Sequence, residues 1–139
     1  MSFISEIMDN LATAAESTGP YADIVYGSDP PENGICMIRN GGFALEDHLD
    51  TGEIYSLPVL LNGKHSSQQT VLDALTAIHT LLTKTHDHTD LSTDDAQVIA
   101  VRTTAAPSII GREQNNQWIC GSSFEVDFYW RNIDNADSN

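Results

Sequence analysis

Apolar residues recur at spacings of three and four along the start of the chain, placing Ile4, Ile7, Met8, Leu11 and Ala15 on one face. That period predicts an amphipathic helix, with Ser2 or Ser5 offering an N-cap oxygen and Gly19-Pro20 stopping it. Ala22 to Tyr26 is short and rich in strand formers. The run Ser28-Asp29-Pro30-Pro31-Glu32-Asn33-Gly34 follows, dense in turn signals, and Ile35 to Arg39 is again strand-like. Two short strands around such a turn predict an antiparallel hairpin over residues 22–39. Asn40-Gly41-Gly42 breaks the pattern, and Phe43 to Asp50 is acidic without a clear period.

Glu53 to Leu61 has strand composition, and Asn62-Gly63 is expected to close it. Pro58 lacks a backbone donor, so this strand is expected at a sheet edge or with a bulge at the proline. Ser66 and Gln69 have capping-box spacing ahead of a second helix running to about Thr85, with Val71, Leu72, Leu75, Ile78, Leu81 and Leu82 as its stripe. Residues 86–95 read as a polar acidic loop. Ala96 to Arg102 alternates, and the strand is expected to continue across Pro107 to Ile110. After the turn Gln114–Gln117, the stretch Trp118 to Arg131 alternates most cleanly: Phe124, Val126, Phe128 and Trp130 against Glu125, Asp127, Tyr129 and Arg131. The aromatics of the first set are read as core beneath the helices.

This order predicts an α+β fold: a two-layer sandwich with two helices packed on one face of a mainly antiparallel sheet of about four to five strands. Residues 1–131 are read as a single domain and 132–139 as a flexible tail. The other sheet face must then meet either water or a partner.

Charge narrows the function. Six Lys and Arg stand against twenty Asp and Glu, a formal net charge of -14, spread evenly between the two halves. Such a chain has no electrostatic footprint for gripping phosphates or anionic lipid. No window is long and apolar enough for a membrane span, and the first residues lack the basic region of a secretion signal. Cys36 and Cys120 fall in separate strands and are read as reduced, small and buried.

No catalytic constellation emerges. A G-x-S-x-G elbow and a phosphate-cradling G-x-x-x-x-G-K-[ST] loop are both missing, and Cys120 has no nearby positive charge to stabilise a thiolate. The densest set of potential metal ligands is His86-Asp87-His88 with Asp90, Asp94 and Asp95. Imidazole and carboxylate suit ions such as Zn²⁺, but the composition is that of a solvated connector behind a helix C-terminus. The expected site assignment is therefore no catalytic residue, no metal and no cofactor, with a metal-binding module on His86, His88 and the nearby acids as an alternative of another class. His79, beside the apolar stripe, is read as a partly buried structural histidine. A further alternative is an acidic DNA mimic, which the even spread of charge disfavours.

The pattern as a whole resembles the small neck and tail-completion proteins of long-tailed bacteriophages, known as minor capsid or tail terminator proteins. The residues that carry the likeness are Phe3 to Leu11, Val71-Leu72-Asp73-Ala74-Leu75, Pro107-Ser108-Ile109-Ile110-Gly111-Arg112-Glu113 and Trp118 through Trp130. It spans roughly residues 2–131. The resemblance implies a non-enzymatic virion protein, assembled in the host cytoplasm and placed at the neck or tail. It implies a homo-oligomeric ring, typically a hexamer, that ends tube growth and meets the tail-tube and head-completion proteins. DNA would pass through its hole without specific binding, and the alternative within this setting is a head-side stopper or connector. On this reading Asp87, Asp90, Asp94 and Asp95 are candidate lumen-facing acids, and Trp118, Tyr129 and Arg112 are candidate subunit-interface residues.

Overall fold

A computed structural model describes residues 2–40, 44–48, 52–84 and 88–130. The elements in chain order are α1 (Ser2–Glu16), β1 (Ile24–Tyr26), β2 (Ile35–Arg39), β3 (Ala44–His48) and β4 (Gly52–His65). Then come α2 (Gln68–Lys84), a 3-10 turn (Thr89–Leu91), β5 (Ala96–Arg112) and β6 (Trp118–Trp130). The α+β reading holds: two helices lie against one face of a six-stranded, mainly antiparallel sheet of order β1-β2-β4-β6-β5, with β3 also paired to β4. Residues 132–139, read as a tail, lie outside the described residues.

The core explains the element choice. Ile4, Ile7, Met8, Leu11 and Ala15 of α1, and Val71, Leu75, Ile78 and Leu82 of α2, are all buried. They meet Leu57, Val59 and Leu61 of β4 and Phe124, Val126 and Phe128 of β6. Fully burying each such large side chain contributes roughly 1.5–3 kcal/mol, so these stripes dominate the favourable side of folding. Phe3 stacks on Trp130 with ring centroids 5.3 Å apart and meets Phe128 edge-on at 5.7 Å. Gly19, at φ +72, closes the chain after α1 in the left-handed conformation that glycine adopts freely. Ser5 lies inside α1 and exposed, so it is not the cap. For α2 the cap is Ser67, whose Oγ accepts the Thr70 N–H at 3.2 Å, and not Ser66 of the expected capping box.

Three further expectations are overturned. First, β1 and β2 run parallel, in register Ile24↔Ile35 to Tyr26↔Met37, and do not form an antiparallel hairpin. With β1 only three residues long, the stretch from Gly27 to Gly34 suffices to carry the chain back to its start. A strand advances about 3.3 Å per residue, so the return is short. Second, β4 does not end at Asn62-Gly63. It runs on to His65, paired with β6 along its length from Glu53↔Trp130 to His65↔Trp118. A Cβ on Gly63 would stand 2.9 Å from side-chain atoms of Leu75 and Val71, so this glycine lets α2 approach the sheet closely.

Third, Pro58 sits neither on an edge strand nor at a bulge but inside β4, between β2 and β6. The opposite flank of β4 is shared, with β3 pairing Gly52 to Ser56 and β2 pairing Val59 to Gly63. Pro58 falls between those two ladders, and its carbonyl accepts the Asn40 N–H at 2.8 Å on that flank. In an antiparallel strand a residue's N–H and C=O point to the same side, so the missing donor faces the gap.

The expected continuation of β5 across Pro107 is present and extends to Arg112. Its 17 residues pair with the 13 of β6, and four register shifts, each one extra residue on β5, absorb the difference. Pro107 falls within the shift between Ala105 and Ser108, on an edge strand, where its lost donor is tolerated.

Candidate functional site

Strand alternation gives the sheet a second face away from the helices. On β6 it carries Ile119, Gly121, Ser123, Glu125, Asp127 and Tyr129, opposite Lys64, Asn62, Leu60, Pro58, Ser56 and Ile54 of β4. Its centre is organised by Arg102 of β5, whose register partner is Glu125. The guanidinium donates to Asp127 Oδ2 from Nε at 2.6 Å and to Asp127 Oδ1 from Nη2 at 2.9 Å. It also reaches Glu125 Oε1 at 2.6 Å, and Ser56 Oγ donates to Asp127 Oδ1 at 2.6 Å. The hydrogen bond to Asp127 raises the Arg102 pKa further, overcoming the opposing cost of desolvation. The arrangement binds three strands together through one cation. One guanidinium is shared by two carboxylates, so the cluster keeps a formal excess of one negative charge.

One end of this face is closed by a polar clamp that sequence reasoning missed. Lys64 is buried, and its Nζ lies 2.9 Å from Asp29 and 3.0 Å from Glu113, joining the loop before β2 to the turn between β5 and β6. The hydrogen bond to Asp29, and then that to Glu113, raise its pKa. Beside it Gln117 is buried and exchanges two hydrogen bonds with Asn33: Asn33 N–H to Gln117 Oε1 at 2.8 Å and Gln117 Nε2 to Asn33 Oδ1 at 3.1 Å. Tyr21 Oη, 3.0 and 2.9 Å from the carbonyls of Gly34 and Lys64, completes the fastening. In the sequence these residues look like ordinary turn residues. The signal for them is pairing across long separations, which a single strand pattern does not carry.

The sequence-derived candidates fall in different places. Arg112 and Trp118 come together as register partners, with the guanidinium carbon 5.3 Å from the indole centre. Tyr129 stands at the far end of β6, half-buried on the open face opposite Ile54. Of the candidate lumen acids, Asp90 and Asp94 are exposed and Asp95 is half-buried, while Asp87 lies outside the described residues. The segment holding them packs against α1, where Asn10 Nδ2 donates to the Leu91 carbonyl at 3.2 Å. His86 also lies outside the described residues, and His88 Nδ1 is buried without a partner. Among the described residues no group of three or more His, Cys, Asp or Glu side chains converges.

His79 and the two cysteines are packed into the body of the fold. His79 is buried edge-on to Phe124, with Nε2 2.8 Å from Thr103 Oγ1. Burial, and secondarily the charge of Lys84, hold its pKa below the usual 6.5. Cys36 and Cys120 are free and buried, and burial pushes both thiols up to about 11, so neither is primed as a nucleophile. A groove of about 500 Å³ opens beside β1, lined by Ile4, Met8, Asp9, Tyr26, Met37 and Arg39 among others. Among the described residues no helix is long and apolar enough to cross a membrane.

No family model and no curated protein matches the sequence. Among solved structures, a chain of the structure titled "Virion of native gene transfer agent (GTA) particle" superposes with a TM-score of 0.57 at 12% identity, over 88% of this chain and 91% of that one. The two chains share a fold over nearly their whole lengths.

Proposed function

We propose that this chain is a structural subunit of a phage-like virion, a tail terminator that forms a ring at the head-proximal end of the tail. The observation that carries the reading is the fold shared with a chain of a gene transfer agent virion over 88% of this sequence. The open face built on Arg102, whose guanidinium ties β4, β5 and β6 together, suits a scaffolding role. In this role the ring ends tube growth and docks the tail to head-completion proteins. The net charge of -14 suits a channel that DNA passes without sticking, since carboxylates lining a lumen repel phosphate. Asp90 and Asp94, exposed at the end of the helix layer, are the described acids proposed for that lumen.

Deleting the gene and imaging the products by electron microscopy tests the proposal. The expected outcome is overlong tails beside unjoined heads. Tails of normal length with unjoined heads would favour a head-side stopper, and unchanged particles would overturn a virion role.

A further inference from the structure

The two edges of the sheet carry a matched set of unsatisfied features. Among the described residues, the large hydrophobics that remain well exposed are Val25 (42%), Tyr26 (55%), Ile99 (45%) and Ile110 (66%). All four lie on the two edge strands, β1 and β5. Followed across the ladders, Ile24 stands level with Ile109, through Ile35, Gly63 and Cys120. Val25 stands level with Ser108, through Cys36, Asn62 and Gly121. The exposed run of β5 and the exposed strand β1 thus sit at the same height on opposite sides of the molecule.

Their charges are complementary at that height. Around β1, Asp9 accepts the Tyr26 hydroxyl and Glu16 accepts the Ile24 N–H at 3.0 Å, while Asp23 is exposed and pairs with no described cation. On β5, Arg102 is occupied by Asp127 and Glu125, whereas Arg112 is exposed and touches Asn116 and Trp118 without a described carboxylate partner. Asp23 lies one residue outward of Ile24, toward the Arg112 end of the opposite edge.

We infer that the two edges are the two halves of one head-to-tail contact, in which Asp23, Val25 and Tyr26 of one copy meet Ala105 to Arg112 of the next. This rests on the reading of the chain as a ring subunit and names the surfaces that close the ring. Copies related by rotation about an axis running along the strands keep their height, so edges at equal height can meet repeatedly and close. Side chains make the contact. The four irregularities of β5 deny a neighbour a regular ladder, and the Ile24 amide is already bound to Glu16. The groove of about 500 Å³ beside Tyr26 gives the neighbour's apolar side chains a place to seat.

Charge reversal tests the pairing in producing cells, with the chain carried in particles quantified by immunoblot and purified oligomers by native mass spectrometry. Asp23→Arg and Arg112→Asp are each expected to lower the assembled fraction at least tenfold, and the double variant to recover it to within about twofold. Circular dichroism of each variant confirms folding. In parallel, Val25→Cys with Ser108→Cys, treated with a short bismaleimide, is expected to give a ladder of covalent oligomers that neither single variant gives. Cross-links from either single variant would mean a two-fold contact and overturn the inference. Rings that form without rescue and without cross-links would overturn this contact while leaving the ring reading intact. A wild-type chain absent from particles and monomeric in solution would overturn both.

Discussion

Alternate residues of β6 face two different environments, and the contrast shows how one strand does two jobs. Phe124, Val126 and Phe128 are buried against both helices, closely packed and apolar. Ser123, Glu125, Asp127 and Tyr129, one step out of phase, are half-buried on a face that neither described helix covers. The first face is held by area removed from water, which is non-directional and large. The second is held by directional contacts to a single arginine, individually modest and sensitive to salt. Stability therefore resides in one face, leaving the other, with the sheet edges, free to be specified by whatever it meets.

Breaking the covered face should have the largest effect. Phe124→Ala removes a fully buried ring that also supports His79, and unfolding in urea should show a loss of about 3–5 kcal/mol. On the open face Arg102→Ala should cost no more than about 1 kcal/mol, because the guanidinium is half-exposed and its carboxylates can rehydrate. The same denaturant series at raised salt should narrow the difference between wild type and this variant while leaving the Phe124→Ala loss unchanged. A larger Arg102 loss, insensitive to salt, would mean that the open face is a second core.

The smallest effect sharpens the comparison through pH. His79 is buried with a folded-state pKa below 6.5, so the unfolded chain binds its proton more readily. Stability tied to this group is fully present above pH 6.5 and falls as pH drops toward the folded value. Unfolding midpoints between pH 7.5 and 5.5 should decline more steeply for wild type than for His79→Gln, and equal slopes would remove His79 as a contributor.

Much of the fold was legible in the sequence for a local reason. Helical and strand periods are written residue by residue, so both helices, the core face of Phe124, Val126 and Phe128, and the continuation of β5 past Pro107 follow from pattern. The misreadings share the opposite character. The chain from Ser28 to Gly34 is as rich in turn residues as a hairpin loop, yet β1 and β2 are parallel. Pro58 signalled an edge, but a break in the neighbouring ladder absorbs it inside β4. Gly63 signalled an end, and instead gives room to Val71 and Leu75. Each depends on what stands beside the residue in space, which no local window contains.

The candidate site divides in the same way. Arg112 and Trp118 were picked out from sequence, and the hairpin register brings them together. Lys64, Gln117 and Asn33 were not, because their roles exist only through partners distant in the chain. By itself the sequence determined the composition of each surface: a net charge of -14, an apolar stripe on each helix and an alternating final strand. Tertiary structure alone decided strand direction, the fastening of one end by Lys64, and the equal height of Val25 and Ser108 on opposite edges. Side-chain periodicity is a property of consecutive residues, whereas register and neighbourhood are settled by which long-range packing buries those stripes best.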